Sequence, residues 1–165
     1  MMNKIIFFAI LAELAIVAYY DIKTQKISNN WSIFNGVLAV ILYIALPEYY
    51  PFELEIFLFP LLTIFIGFLL YLMNIMGAGD SKYLATLFLV MPADNHVIYF
   101  EKLVASTLVV GAFYLVWKII KSYSDMKGHF YAGNFRQIIA MIRSSFSYAP
   151  VMLIAWALLG LEKWF

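Results

Sequence analysis

The chain has 165 residues, of which 65% are hydrophobic and 19% aromatic, and its formal net charge is +1. A soluble domain is usually about 45–50% apolar, so with a mean hydropathy of +0.87 the expected solvent is lipid. The near-neutral charge gives no footing for nucleic acid, and the absence of cysteine removes disulfides and thiolate metal sites.

Spanning the hydrocarbon core as a helix takes roughly 17–25 apolar residues. Six segments qualify or come close: 5–20, 31–46, 54–75, 81–91, 103–120 and 148–161. The third and fifth are long, whereas the fourth and sixth are short. Lys4 before the first segment imitates a secretory signal, but its end, IVAYYDIK, lacks a small-residue cleavage pattern, so it reads as a retained helix. No repeat, low-complexity stretch or linker divides the chain. The expected architecture is an all-α integral membrane protein of about six transmembrane helices, forming one domain over residues 1–165. His96 and His129, the two imidazoles, fall in expected loops, so no metal site is expected.

Orientation follows from Lys and Arg. With the connections after helices one, three and five in the cytoplasm, that side holds Lys23, Lys26, Lys82, Lys118, Lys121, Lys127, Arg136 and Arg143. Lys4, Lys102 and Lys163 remain opposite, where Glu48, Glu53, Glu55, Asp94 and Glu101 lie. Both termini are then expected outside. The largest connection, 121–147, contains FRQIIAMIRSSF, in which Phe135, Ile138, Ile139, Ile142 and Phe146 recur at helical spacing. That pattern predicts an amphipathic helix on the cytoplasmic leaflet, or packed on the ends of the bundle.

Two acids stand beside cytoplasmic helix ends. Asp21 closes the first apolar segment, and Asp80 opens the fourth behind Gly77-Ala78-Gly79. A helix over 79–91 is about 20 Å long against a core of about 30 Å, so Asp80 is expected a little below the interface. A recessed carboxylate in lipid should face the bundle interior or a wet cavity. Gly77 and Gly79 are expected to supply backbone angles closed to other residues and to let a substrate strand approach. Asp80 then falls in the first helical turn, where the dipole favours an anion. Asp21, Lys23, Lys26, Ile27 and Asn29 are expected in a short loop after helix one. Two neighbouring carboxylates share one proton and titrate as a unit. The ionised member can take a proton from water and the protonated one can donate to a carbonyl oxygen.

These two motifs, DIKTQKISN and GAGDSK, resemble the prepilin peptidases, the GxGD aspartyl proteases that process type IV pilins. The family pattern sets an Asp six residues ahead of Ile-Pro-Asn, with a later Gly-x-Gly-Asp-x-Lys. Asp21, Ile27 and Asn29 match the first part; Gly77, Gly79, Asp80 and Lys82 match the second. SYAPVMLIAWALLG is similar to the family's Tyr-Ala-Pro lead-in to its last helix. Ser28 departs from the pattern, standing where Pro is usual, which leaves the start of helix two open.

The resemblance implies catalytic Asp21 and Asp80, with Gly77, Gly79, Lys82, Lys23, Lys26, Ile27 and Asn29 as substrate-binding or supporting residues. It implies no cofactor, a prepilin or pseudopilin substrate losing a short basic leader, and a bacterial or archaeal cytoplasmic membrane with the active site toward the cytoplasm. The short core-only form is similar to the enzymes of tight-adherence (Flp) pili, which implies proteolysis without N-methylation. A presenilin-like protease fits less well, because two helices separate these aspartates. The alternative from another class is a small transporter or pilus-assembly factor with proton-carrying aspartates, which has no need of the spacing from Asp21 to Ile27 and Asn29.

Of the remaining residues, Lys82 reads better as an anchor than as a partner of Asp80, since residues two apart on a helix do not face each other. Glu13, in the middle of helix one, is expected to be hydrogen-bonded inside the bundle in a structural role. Asn35 and Gly36 are expected to serve close helix packing, and Tyr19 and Tyr20 to join an interfacial belt.

Overall fold

The structure, a computed structural model, describes residues 3–73, 76–137 and 147–164. All regular structure among them is helical. In chain order the helices are α1 (Lys4–Thr24), α2 (Asn29–Ala45), α3 (Leu58–Leu72), α4 (Ala78–Val90), α5 (His96–Lys121), α6 (Tyr123–Tyr131) and α7 (Ala149–Trp164). Short 3-10 turns, Leu54–Phe57 and Ala93–Asn95, lead into α3 and α5. With those turns, α1, α3 and α5 are long and apolar enough to cross a membrane. Their outer faces are what a lipid solvent requires: Leu61, Phe65, Leu108, Val109 and Phe113 are all exposed.

Several boundaries differ from expectation. Helix α1 runs four residues past its apolar stretch, so Asp21 and Lys23 belong to its last turns, not to a loop. It stops at Gln25, which adopts the left-handed conformation (φ 53°) and returns its N–H to the Asp21 carbonyl. Helix α5 starts seven residues early, at His96, and His129 lies in α6; both histidines are helical rather than in loops. Helix α6 carries Asp125 in its first turn and has no buried residue. The expected amphipathic helix begins with helical residues 135–137, and its remainder, 138–146, lies outside the described residues.

Helix packing sorts the bundle into two sets. Helix α7 packs against both α1 and α5, while α4 packs against both α2 and α3. Small residues make the tight approaches. A Cβ at Gly67 of α3 would overlap Ser81 of α4, and one at Gly160 of α7 would overlap the Phe7 ring of α1. Gly36, expected at such a crossing, has open space in front of it instead. The far end of the bundle is closed by aromatic packing of Phe7 on Trp156 and Trp164, by a 2.5 Å Lys102–Glu162 ion pair and by a Lys163–Asn95 hydrogen bond.

Candidate active site

At the opposite end the two aspartates converge. Ser28 caps α2, accepting the Asn30 N–H at 3.3 Å with φ −68° and ψ 140°. This backbone is one proline also adopts, so serine at the usual Pro position still starts the helix at Asn29. The turn that results carries Ile27, which is buried, against the start of α4. A Cβ at Gly79 would stand 2.7 Å from the Ile27 carbonyl oxygen. The backbone that comes close to Gly79 is therefore the chain's own.

Neither Gly77 nor Gly79 has positive φ; Gly77 is extended at φ −75° and ψ 148°. The expectation of unusual backbone angles is thus corrected: Gly79 is needed for space, not for conformation. Gly77 caps α4 with its N–H, which donates to Asp80 Oδ2 at 3.1 Å. Asp80 lies in the first turn of α4, where the helix dipole favours a negative charge.

Asp21 is 2% exposed and Asp80 7%, so both carboxyls face the interior. Asp21 Oδ2 accepts the Ala149 N–H at 3.1 Å, from the first residue of α7. The Tyr148 N–H is directed at the same carboxyl, and the Ser147 hydroxyl donates to the Asp21 carbonyl at 3.2 Å. Asp21 and Asp80 are within electrostatic reach of each other. The Tyr148 ring reaches the site too: its phenol lies 3.0 Å from Thr107 Oγ1 and within electrostatic reach of Asp80. Behind Tyr148, an apolar cavity of about 200 Å³ is lined by residues including Gly67, Met76, Leu84 and Leu103.

Among the expected supporting residues, Gly77, Gly79 and Ile27 are gathered around Asp80. Lys23, Lys26, Asn29 and Lys82 are exposed at the same end, so they surround the acids without touching either in this structure.

The profile of the type IV leader peptidase family matches residues 6–161. The chain belongs to that family. No curated protein and no solved structure matches it. Membership makes it a protease, of the aspartic type in this family, and a membrane protein acting on a prepilin-type substrate in general. Around the candidate site lie further residues that the sequence pattern does not single out. Tyr148 and Ala149 stood out only as part of a motif, yet their backbone orients Asp21. Tyr83, one turn beyond Asp80, is fully buried and donates to Glu13 Oε1 at 3.0 Å. Its signal in the sequence was a hydroxyl three residues after the acid, on the same face of a helix.

Proposed function

We propose that this leader peptidase is a single membrane-embedded domain that removes the basic leader of type IV prepilins or pseudopilins, Flp-like ones included, at the cytoplasmic face. In this reading Asp21 and Asp80 are the catalytic pair. One observation carries it: two buried carboxyls from helices 59 positions apart in sequence meet at one end of the bundle, each already held by a backbone N–H.

The chemistry follows from that arrangement. Two adjacent carboxyls hold one proton between them. The ionised one removes a proton from water as the oxygen attacks the scissile carbonyl carbon. The protonated one donates to the carbonyl oxygen, giving a neutral tetrahedral diol. On collapse the protonated carboxyl gives its proton to the departing amine while the ionised one takes a proton from a diol hydroxyl, the C–N bond breaks, and the pair is left with one proton. The backbone donors to Asp21 and Asp80 fix each carboxyl, each accepting an N–H at its Oδ2.

Lys23, Lys26 and Lys82, exposed at this end, support a cytoplasmic orientation for it by the positive-inside rule. The apolar cavity behind Tyr148 provides a place for hydrophobic residues that follow the cut. Co-expression with a Flp-type prepilin and, separately, with a longer type IV prepilin tests the reading. Mass spectrometry of the pilin N-terminus should show leader loss with the wild-type protein. Intact leaders on both substrates beside abundant, membrane-inserted enzyme would overturn it and favour a non-enzymatic assembly factor.

A further inference from the structure

Helices α1 and α4 carry the two aspartates, but they belong to different packing sets. α1 rests on α7 and α4 rests on α2 and α3. The relative position of Asp21 and Asp80 is therefore set by what crosses between the sets. One crossing is the contact of the Ile27 carbonyl with Gly79 at the site itself. A second lies deeper, besides the ring contacts of Phe88 in α4 with Tyr99 in α5 and of Phe59 in α3 with Phe100 in α5.

Glu13 and Tyr83 make that second crossing. Glu13 is on the buried stripe of α1 that runs Phe7, Ile10, Leu14, Val17, Ala18 and Asp21. At 1.5 Å per residue it is about 12 Å further into the bundle than Asp21. Tyr83 follows Asp80 by one turn, about 4.5 Å along α4. The phenol donates to the Glu13 carboxyl across 3.0 Å, and both groups are buried. Asn35 of α2 is wholly buried beside them, its amide making no hydrogen bond of normal geometry. An acid at this depth is costly in lipid, a cost that a merely apolar contact between α1 and α4 would avoid.

We infer that the Glu13–Tyr83 hydrogen bond is a positioning clasp, which holds the Asp80 helix at a fixed offset from the Asp21 helix so that the two carboxyls stay within reach of one substrate carbonyl. This rests on the reading of Asp21 and Asp80 as the catalytic pair. Neither clasp residue touches the reacting atoms. A hydrogen bond is directional and of one length, whereas apolar packing allows sliding along the helix axes, and a misplacement of about 1 Å at a reacting centre costs on the order of 100-fold in rate.

The test combines kinetics with a distance. Tyr83→Phe removes the donor and keeps the ring; Glu13→Leu removes the acceptor; Glu13→Gln keeps a carbonyl oxygen for the phenol. The chain has no cysteine, so Ile16→Cys with Thr86→Cys, both outside the candidate site and not fully buried, allows spin labels on α1 and α4. Tyr83→Phe and Glu13→Leu should each lower kcat by roughly tenfold or more with KM unchanged, and broaden the label-to-label distance distribution. Their combination should be no worse than either alone. Glu13→Gln should retain both kcat and the narrow distribution. A narrow distribution and wild-type kcat in Tyr83→Phe would overturn the clasp. So would loss of membrane abundance in all three variants, which would assign the pair to folding. If the wild-type protein cleaves no prepilin, the catalytic reading fails, and the label distances still report whether the bond fixes the two helices.

Discussion

Adding one methyl group at Gly79 should disable the enzyme while leaving it folded. The new Cβ would stand 2.7 Å from the carbonyl oxygen of Ile27, with the Ile27 carbonyl carbon and Cβ at 3.6 and 3.7 Å. Ordinary contact begins near 3.4 Å, so the start of α4 and the α1–α2 turn must separate by about 0.7 Å. The obstacle is backbone and has no rotamer to change. Asp80 is the next residue, so the displacement is delivered almost undiminished to one carboxyl of the pair. Overpacking of this size costs about 1–3 kcal/mol, and alanine's better helix propensity returns about 1 kcal/mol of it. Rate is more sensitive than stability, because a 1 Å misplacement costs on the order of 100-fold. Gly79→Ala should then reach the membrane at near-normal levels and cleave prepilin roughly 10- to 100-fold more slowly. Gly111→Ala in α5 is the control, since its Cβ meets nothing within 4 Å. The assay is a cleavage time course in isolated membranes, normalised to enzyme abundance. Wild-type cleavage by an abundant Gly79→Ala enzyme would refute the close-approach argument.

Three further outcomes are expected. Asp21→Asn and Asp80→Asn each keep the side chain's size and lose its proton chemistry, so each should lower cleavage by roughly 10²–10⁴-fold in the same membrane assay; near-normal turnover by either would remove it from the pair. A reporter active only outside the cytoplasm should work when fused after Phe165 and stay silent when inserted at Lys127, and the reverse pattern would invert the bundle. Ser28→Pro should change stability by less than about 1 kcal/mol, because loss of the 3.3 Å cap to Asn30 is offset by the reduced freedom of the unfolded chain; a fall of many degrees in the detergent melting temperature would show that the cap matters more than its geometry implies.

The two carboxyls were legible in the sequence because each sits beside an apolar run, where a charge has to be explained. The limits of the helices were less so. Hydropathy marks where the chain meets lipid, and a helix continues as long as its backbone bonds do. Thus α1 runs on through Asp21 and Lys23, and α5 begins at His96, where His96 Nε2 lies 2.8 Å from the Phe88 carbonyl and Lys102 reaches Glu162. The glycines illustrate a different limit. Sequence shows that a side chain is missing but not whether backbone angle or space requires it, and at Gly79 the requirement is space, set by a residue 52 positions earlier. The Glu13–Tyr83 and Asp21–Ala149 bonds join residues 70 and 128 positions apart. No local periodicity carries such pairings.

The placement of helix ends explains why a carboxyl pair can persist at this depth. Asp21 lies near the C-terminal end of α1, where the partial negative charge of the helix opposes another anion. The structure offsets this by bringing a different helix end to it. Helix α7 starts at Ala149, and its first N–H donates to Asp21 Oδ2. Asp80 meets the same condition within its own helix, in the first turn of α4. The N-termini of α4 and α7 thus converge on the pair, and unsatisfied N–H groups at helix N-termini stabilise negative charge. Together they can hold one net negative charge, as two carboxyls sharing a proton require. Pro150 fits this arrangement, because proline has no N–H at a position where the helix would leave one unpaired, and the Val151 and Met152 N–H groups return to the Tyr148 carbonyl, so the donors left over are the ones aimed at Asp21. The Tyr-Ala-Pro sequence is in this sense part of the acid's environment, although it stands at the other end of the chain.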